Sequence, residues 1–161
     1  RLARSLDTSV DELPAKVKAL ESELEAERRK LASIENELGR QESEQLLNKV
    51  VSVNGINVLA ARAGTGNPQV LRDMGDFLRD KLGSAVVILG GLSNGRPVFV
   101  AAVTPDLVRK GFNAGTIIRE VSKFTGGGGG GKPNFAQAGG RDPEKLDGAL
   151  ALVPELVARG G

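Results

Sequence analysis

Residues 84–103 read Ser-Ala-Val-Val-Ile-Leu-Gly-Gly-Leu-Ser-Asn-Gly-Arg-Pro-Val-Phe-Val-Ala-Ala-Val, and this stretch decides the fold. Ala85 to Leu89 is continuously apolar over a strand length, the pattern of a strand buried on both faces. Asn94-Gly95 then separates it from a second apolar run, Pro97 to Val103. Asn-Gly between two such runs marks a tight hairpin, because both central residues of the favoured turn need positive φ. A buried strand needs helices to cover its sheet. The flanking sequence supplies them. Asn67-Pro68 opens a helix to about Leu82 with Gly83 as its C-cap. Thr104-Pro105 caps a short helix, and Asn113 starts another through Phe124, ended by Gly126. Upstream, Val50 to Val53, Asn54-Gly55 and Ile56 to Ala63 form a second hairpin. Downstream, Phe135 to Ala138 is a short strand. Asp142-Pro143 opens a final helix to about Arg159, with a kink expected at Pro154. The expected class is α/β, more strictly α+β: a mixed sheet covered by helices.

Before residue 49 the pattern is different. Val10, Leu13, Val17, Leu20, Leu24, Leu31, Ile34 and Leu38 recur at spacings that fit one heptad seam. Continuing the register adds Glu27, Gln41 and Gln45, so 8 of 11 seam positions are apolar. A single helix over 9–47 is expected, with a capping-box start at Ser9 and Glu12. A lone helix this polar is marginal in water, so the seam calls for a partner helix. That partner is in a second copy of the chain or in another part of a parent protein; the spacing leaves both open. The domain reading is a helical connector and dimerisation element over 1–48 and a globular domain over 49–161.

The 161 residues include no Cys and no His. Disulfides, cysteine or histidine metal sites, thiol catalysis and a Ser-His-Asp triad are all excluded. No apolar run approaches the length of a membrane span. A start at Arg1 and a single Met74 lead to the expectation of a fragment of a longer protein. The net charge of +2 hides an asymmetry. Residues 1–48 carry 8 basic and 11 acidic side chains, whereas residues 49–161 carry 14 and 9. The second part is a basic domain, which points to an anionic partner.

Residues 125–141, Thr-Gly-Gly-Gly-Gly-Gly-Gly-Lys-Pro-Asn-Phe-Ala-Gln-Ala-Gly-Gly-Arg, hold the candidate site. Six consecutive glycines are expensive to order. Read as a loop over Gly126, Gly127, Gly128, Gly129, Gly130 and Gly131, they present backbone N–H groups that a flat or anionic surface can approach closely. Lys132, Gln137 and Arg141 flank them with donors. Arg119 and Lys123, four apart on the preceding helix, add charge on one face. The phosphate-loop pattern fails because Lys132 is followed by Pro133. The dinucleotide pattern fails because the glycines follow a helix. Without Trp or Tyr, and with five scattered Phe, the usual stacking platform for single strands is missing. Recognition by shape and backbone suits a folded RNA better.

The run Gly126–Gly131, then Lys-Pro-Asn-Phe-Ala-Gln-Ala-Gly-Gly, then Arg-Asp-Pro-Glu-Lys-Leu-Asp resembles the C-terminal domain of alanyl-tRNA synthetases, a DHH-associated nucleic-acid-binding module. The resemblance extends through both hairpins and the heptad helix. It implies a non-catalytic module that binds the tRNA elbow, links aminoacylation with editing and takes part in dimerisation. It implies Gly126 to Gly131, Lys132, Asn134, Gln137 and Arg141 as contacts; Arg119 and Lys123 are added from charge and spacing alone. It implies alanine tRNA and the parent's other domains as partners, and a cytoplasmic ATP-dependent ligase as parent. ATP, magnesium and zinc would belong to that parent and none to this chain. An alternative is the accessory nucleic-acid-binding domain of a DHH-type phosphodiesterase, whose catalytic half needs Asp and His ligands. Asp73, Asp76 and Asp80 share a helix face, but Arg72, Arg79 and Lys81 interleave with them, so solvated ion pairs are expected there. Arg96 sits on an exposed hairpin tip.

Overall fold

The computed structural model describes residues 2–5 and 7–160. It falls into two compact units, Arg1–Glu37 and Leu38–Gly161. In chain order the helices are α1 (Leu2–Ser5), α2 (Leu13–Leu46), α3 (Pro68–Leu82), α4 (Pro105–Arg109), α5 (Ala114–Phe124), α6 (Leu146–Ala151) and α7 (Val153–Ala158). The strands are β1 (Val51–Val53), β2 (Ile56–Arg62), β3 (Ala85–Ser93), β4 (Arg96–Val103), β5 (Gly128–Gly131) and β6 (Phe135–Gly139). Short 3₁₀ turns cover Leu47–Lys49 and Pro143–Lys145.

The sheet runs β1-β2-β3-β4-β6-β5. Only β2 and β3 are parallel, joined by the crossover through α3; all other pairs are antiparallel. β3 and β4 lie at the centre, as their apolar runs require. Alternate residues feed two cores. Val86, Ile88, Phe99, Ala101 and Val103 pack with Leu107, Ile117, Ile118, Val121 and Leu146 from α4, α5 and α6. Val87, Leu89, Val100 and Ala102 pack with Val70, Leu71, Met74 and Leu78 of α3. Both hairpin turns are as expected: Asn54 and Gly55 have φ of 52° and 81°, and Asn94 and Gly95 have 51° and 76°.

Several local signals act as read. The Asn67 side chain accepts the Gln69 amide at 3.0 Å and Pro68 opens α3. The Asn113 side chain accepts the Thr116 amide at 3.2 Å and opens α5. Three expectations change. Helix α2 begins at Leu13, and Ser9 is no cap; Val10, a seam position, lies ahead of the helix. The final helix is a 3₁₀ turn followed by α6 and α7, with the break at Leu152 ahead of Pro154. The proline lacks the amide that would bond back along one continuous helix. Within Leu38–Gly161, the last turns of α2 bury Gly39, Ser43 and Leu46, while the seam residue Leu38 stays exposed. Gly39 is needed there, since a Cβ would stand 2.9 Å from Val70 Cγ1. The Gly64 amide donates to Glu42 Oε1 at 2.8 Å and ties this turn to the end of β2.

Candidate nucleic-acid interface

The six glycines are not a loop. Gly126 and Gly127 end α5, and Gly128 to Gly131 form β5, the edge strand beyond β6. Gly126 has φ of 76° and donates to the Lys123 carbonyl at 3.0 Å, while the Gly127 amide donates to Ser122 at 2.9 Å. These two bonds are a Schellman motif, which needs a left-handed residue at Gly126. The reason the tract becomes a strand is tertiary. β6 offers a partner edge, in register Gly128↔Gly139 to Gly131↔Ala136. α5 packs beside it through Gly115, where a Cβ would stand 3.0 Å from the Gly131 carbonyl oxygen.

Both ends of this hairpin are fixed by backbone bonds. Across residues 132–134, the Lys132 amide donates to Phe135 at 2.8 Å, the Ala114 amide to Pro133 at 2.8 Å and the Val103 amide to Asn134 at 3.0 Å. At the far end, Gly140 donates to Pro97 at 2.8 Å and Arg141 to Thr125 at 2.9 Å. The backbone is therefore held while the side chains of Lys132, Asn134, Gln137 and Arg141 remain exposed.

The candidate residues gather around one edge of the sheet. Arg119 and Lys123 stand on the exposed side of α5, with a terminal guanidinium nitrogen of Arg119 3.6 Å from where a Cβ on Gly130 would be. Gln137 is exposed on β6, between the buried Ala136 and Ala138. Lys132 and Asn134 stand at one end of β5. Arg141 stands at the other, its Cβ close to Gly126. Among the described residues, Arg119, Lys132 and Arg141 form no ion pair, whereas Lys123 bonds Glu120 at 3.1 Å. The edge thus carries three uncommitted cations and a strand without side chains.

Two neighbours escaped the sequence reading. Phe124 is a large exposed apolar side chain at the end of α5, its ring standing over Gly148. Arg72 of α3 lies over the Phe135 ring, 4.6 Å from its centroid. Neither has a local signature: Phe124 falls among ordinary core periodicity, and the Arg72–Phe135 contact joins residues 63 positions apart.

Of the ion pairs expected on α3 only one forms among the described residues, while Arg72 and Lys81 lie over the Phe135 and Phe77 rings. Arg79 bonds Asp76 at 3.1 Å and Gln69 bonds Asp73 at 3.1 Å. Among the described residues no group of acidic side chains is placed to hold a metal ion. A shallow cleft of about 380 Å³ near β1 and β2, lined by Lys49, Arg62, Asp147 and Pro154 among others, contains no candidate residue.

Residues 55–159 match the model of the DHHA1 domain. The chain belongs to the DHHA1 domain family. This DHHA1 chain is 44% identical over 155 residues to the alanine–tRNA ligase of Bacillus subtilis (strain 168). It is 42% identical over 156 residues to that of Dehalococcoides mccartyi (strain CBDB1). These matches cover 96% and 97% of this chain and 18% of each relative, so the chain spans less than a fifth of the curated relatives it matches. Among solved structures it resembles the C-Ala domain from Aquifex aeolicus alanyl-tRNA synthetase. The TM-score is 0.62 at 31% identity, covering 68% of this chain and 97% of that one. No helix among the described residues is long and apolar enough to cross a membrane.

Proposed function

We propose that this chain is the C-terminal, non-catalytic tRNA-binding module of a cytoplasmic alanine–tRNA ligase, and that it grips the elbow of alanine tRNA with the β5 edge. One observation carries the reading: a strand without side chains lies between cations that, among the described residues, form no ion pair. A folded RNA presents a flat tertiary surface ringed by phosphates. A glycine edge lets the backbone come close to such a surface, and Lys132, Arg141 and Arg119 reach for the phosphates. The likeness to alanine–tRNA ligases along nearly the whole chain supports alanine tRNA as the RNA and such a ligase as the parent. In that parent the module holds one tRNA for both the aminoacylating and the editing domains. ATP, magnesium and zinc serve those domains. The exposed seam of α2, with Leu31 and Ile34 each 57% accessible, supports a helical partner, in a second copy or in another part of the parent.

Titration with alanine tRNA, beside a minihelix that lacks the elbow, at two salt concentrations tests the proposal. Tighter, salt-sensitive binding to the full tRNA supports it. Equal binding to both RNAs would reduce the interface to sequence- and shape-blind phosphate contact.

A further inference from the structure

The glycines of the edge differ in what the fold asks of them. A Cβ on Gly127 would stand 1.8 Å from the Gly139 carbonyl oxygen, on Gly129 2.4 Å from Ala138 Cα, and on Gly131 2.7 Å from Ala136 Cα. Each obstacle is backbone of the neighbouring strand or the turn after it, which cannot move aside without breaking the pairing. These three positions are glycine because the sheet leaves no room. Gly128 and Gly130 are otherwise. A Cβ on Gly128 would meet nothing within 4 Å, and one on Gly130 would meet only the Arg119 guanidinium at 3.6 Å. Neither carries the positive φ that excludes other residues. An edge strand favours β-branched residues, and glycine there weakens it. The fold therefore gains nothing from glycine at 128 and 130.

Arg119 supplies the second observation. It is exposed, one turn before the end of α5, and makes no ion pair among the described residues. Its guanidinium lies against the strand at the one position beside it where the missing side chain leaves space. Glu120 pairs with Lys123 instead, at 3.1 Å, so the acid next in sequence does not neutralise Arg119.

We propose that Arg119, seated over the vacant side-chain position of Gly130, is a phosphate-contacting residue of the edge, and that Gly128 and Gly130 are the two glycines selected by the RNA. This rests on the reading of the edge as a tRNA interface. A branched side chain at 130 would push the guanidinium off the strand. A branched side chain at 128 would hold the RNA surface away from the backbone.

The test is tRNA affinity and melting temperature for the full chain and for Gly128→Val, Gly130→Val, Arg119→Ala and the Gly130→Val/Arg119→Ala double variant. The expected melting temperatures are equal to or above that of the unaltered chain. Each single variant is expected to lose about tenfold in affinity. The double variant is expected to bind no worse than Arg119→Ala, because Gly130 acts through the arginine. Full additivity in the double variant would overturn the coupling, and unchanged affinity in Gly128→Val would overturn the selection at 128. If Gly130→Val lowers the melting temperature, Arg119→Ala decides: unchanged affinity and salt slope would remove Arg119 from the interface. Failure of the unaltered chain to bind tRNA would overturn the tRNA reading and this inference together. Binding with an altered pattern would overturn this inference alone.

Discussion

The Thr125 carbonyl accepts the Arg141 amide at 2.9 Å, tying the C-cap of α5 to the turn that follows β6. The same carbonyl accepts the Asp142 amide at 3.0 Å. Thr125 is buried, and its hydroxyl donates to the Ser122 carbonyl at 2.8 Å. Arg141 thus has a fixed backbone and a free side chain, which is how a short turn can aim a cation without burying it. Gly140 makes the contact possible. A Cβ there would stand 2.0 Å from Thr125 Oγ1 and 3.1 Å from Pro97 Cβ. Gly140→Ala is expected to destabilise by about 2 kcal/mol through overpacking, read as a lower denaturant midpoint with unchanged slope.

The two classes of edge glycine separate in stability as well as in binding. Gly129→Ala and Gly131→Ala force a methyl into the backbone of β6 and are expected to cost about 2–3 kcal/mol. Gly128→Ala meets open space and restricts the unfolded chain, so it is expected to gain about 0.5 kcal/mol. Chemical denaturation of the three variants gives the comparison. Equal losses at 128 and 129 would mean that the strand does not lie on β6 as described.

Lys132 and Arg141 flank β5 and, among the described residues, form no ion pair. Removing either charge is expected to weaken tRNA binding and reduce the slope of log affinity against log salt by about 1. Asp142 caps the next turn, accepting the Glu144 amide at 3.0 Å. Its loss is expected to lower stability and leave the salt slope unchanged, which separates a structural neighbour from a contact.

Asp106 gives the fold an acid-sensitive point. The Ser84 hydroxyl donates to its carboxylate, with lesser help from Thr104, and these bonds hold its pKa below the ordinary aspartate value. A depressed folded pKa contributes stability that is complete above the unfolded value and lost as pH falls through the folded one. Asp106→Asn is expected to melt below the unaltered chain at neutral pH, with the gap closing below about pH 4. A gap that is constant with pH would assign the difference to packing.

The seam of α2 makes its own prediction. Leu20, Leu24, Leu31 and Ile34 are exposed along one register. Sedimentation of the chain is expected to give a dimer that Leu24→Glu with Leu31→Glu converts to monomer. A monomer before substitution would leave the seam to an element of the parent protein.

What could be read ahead of the structure followed from strong local chemistry. Asn-Gly at 54–55 and 94–95 fixes two hairpins because few residues tolerate positive φ. Asn67-Pro68 and Asn113 fix helix starts because a side-chain oxygen can accept the amide two or three residues on. The long apolar run at Ala85–Leu89 read as a buried strand because of its length and its β-branched residues. Gly128 to Gly131 had no such signal. Glycine has little strand preference of its own, and its strand exists because β6 and α5 leave it one place to lie. The buried stripe Gly39, Ser43 and Leu46 was hidden by the stronger heptad on a neighbouring face. The candidate residues were legible as chemical types. That Arg119 rests against Gly130, and that Phe124 stands exposed beside the turn, depends on packing between elements.

The most direct measurement is the backbone amide spectrum of the chain, with and without alanine tRNA, following Gly128 to Gly131 together with Lys132 and Arg141. If β5 is the tRNA interface, the largest perturbations fall on this edge, at RNA concentrations that leave β1, β2 and the cleft beside Arg62 unchanged. Perturbations centred on that cleft or on α2, with the glycine amides unmoved, would contradict it.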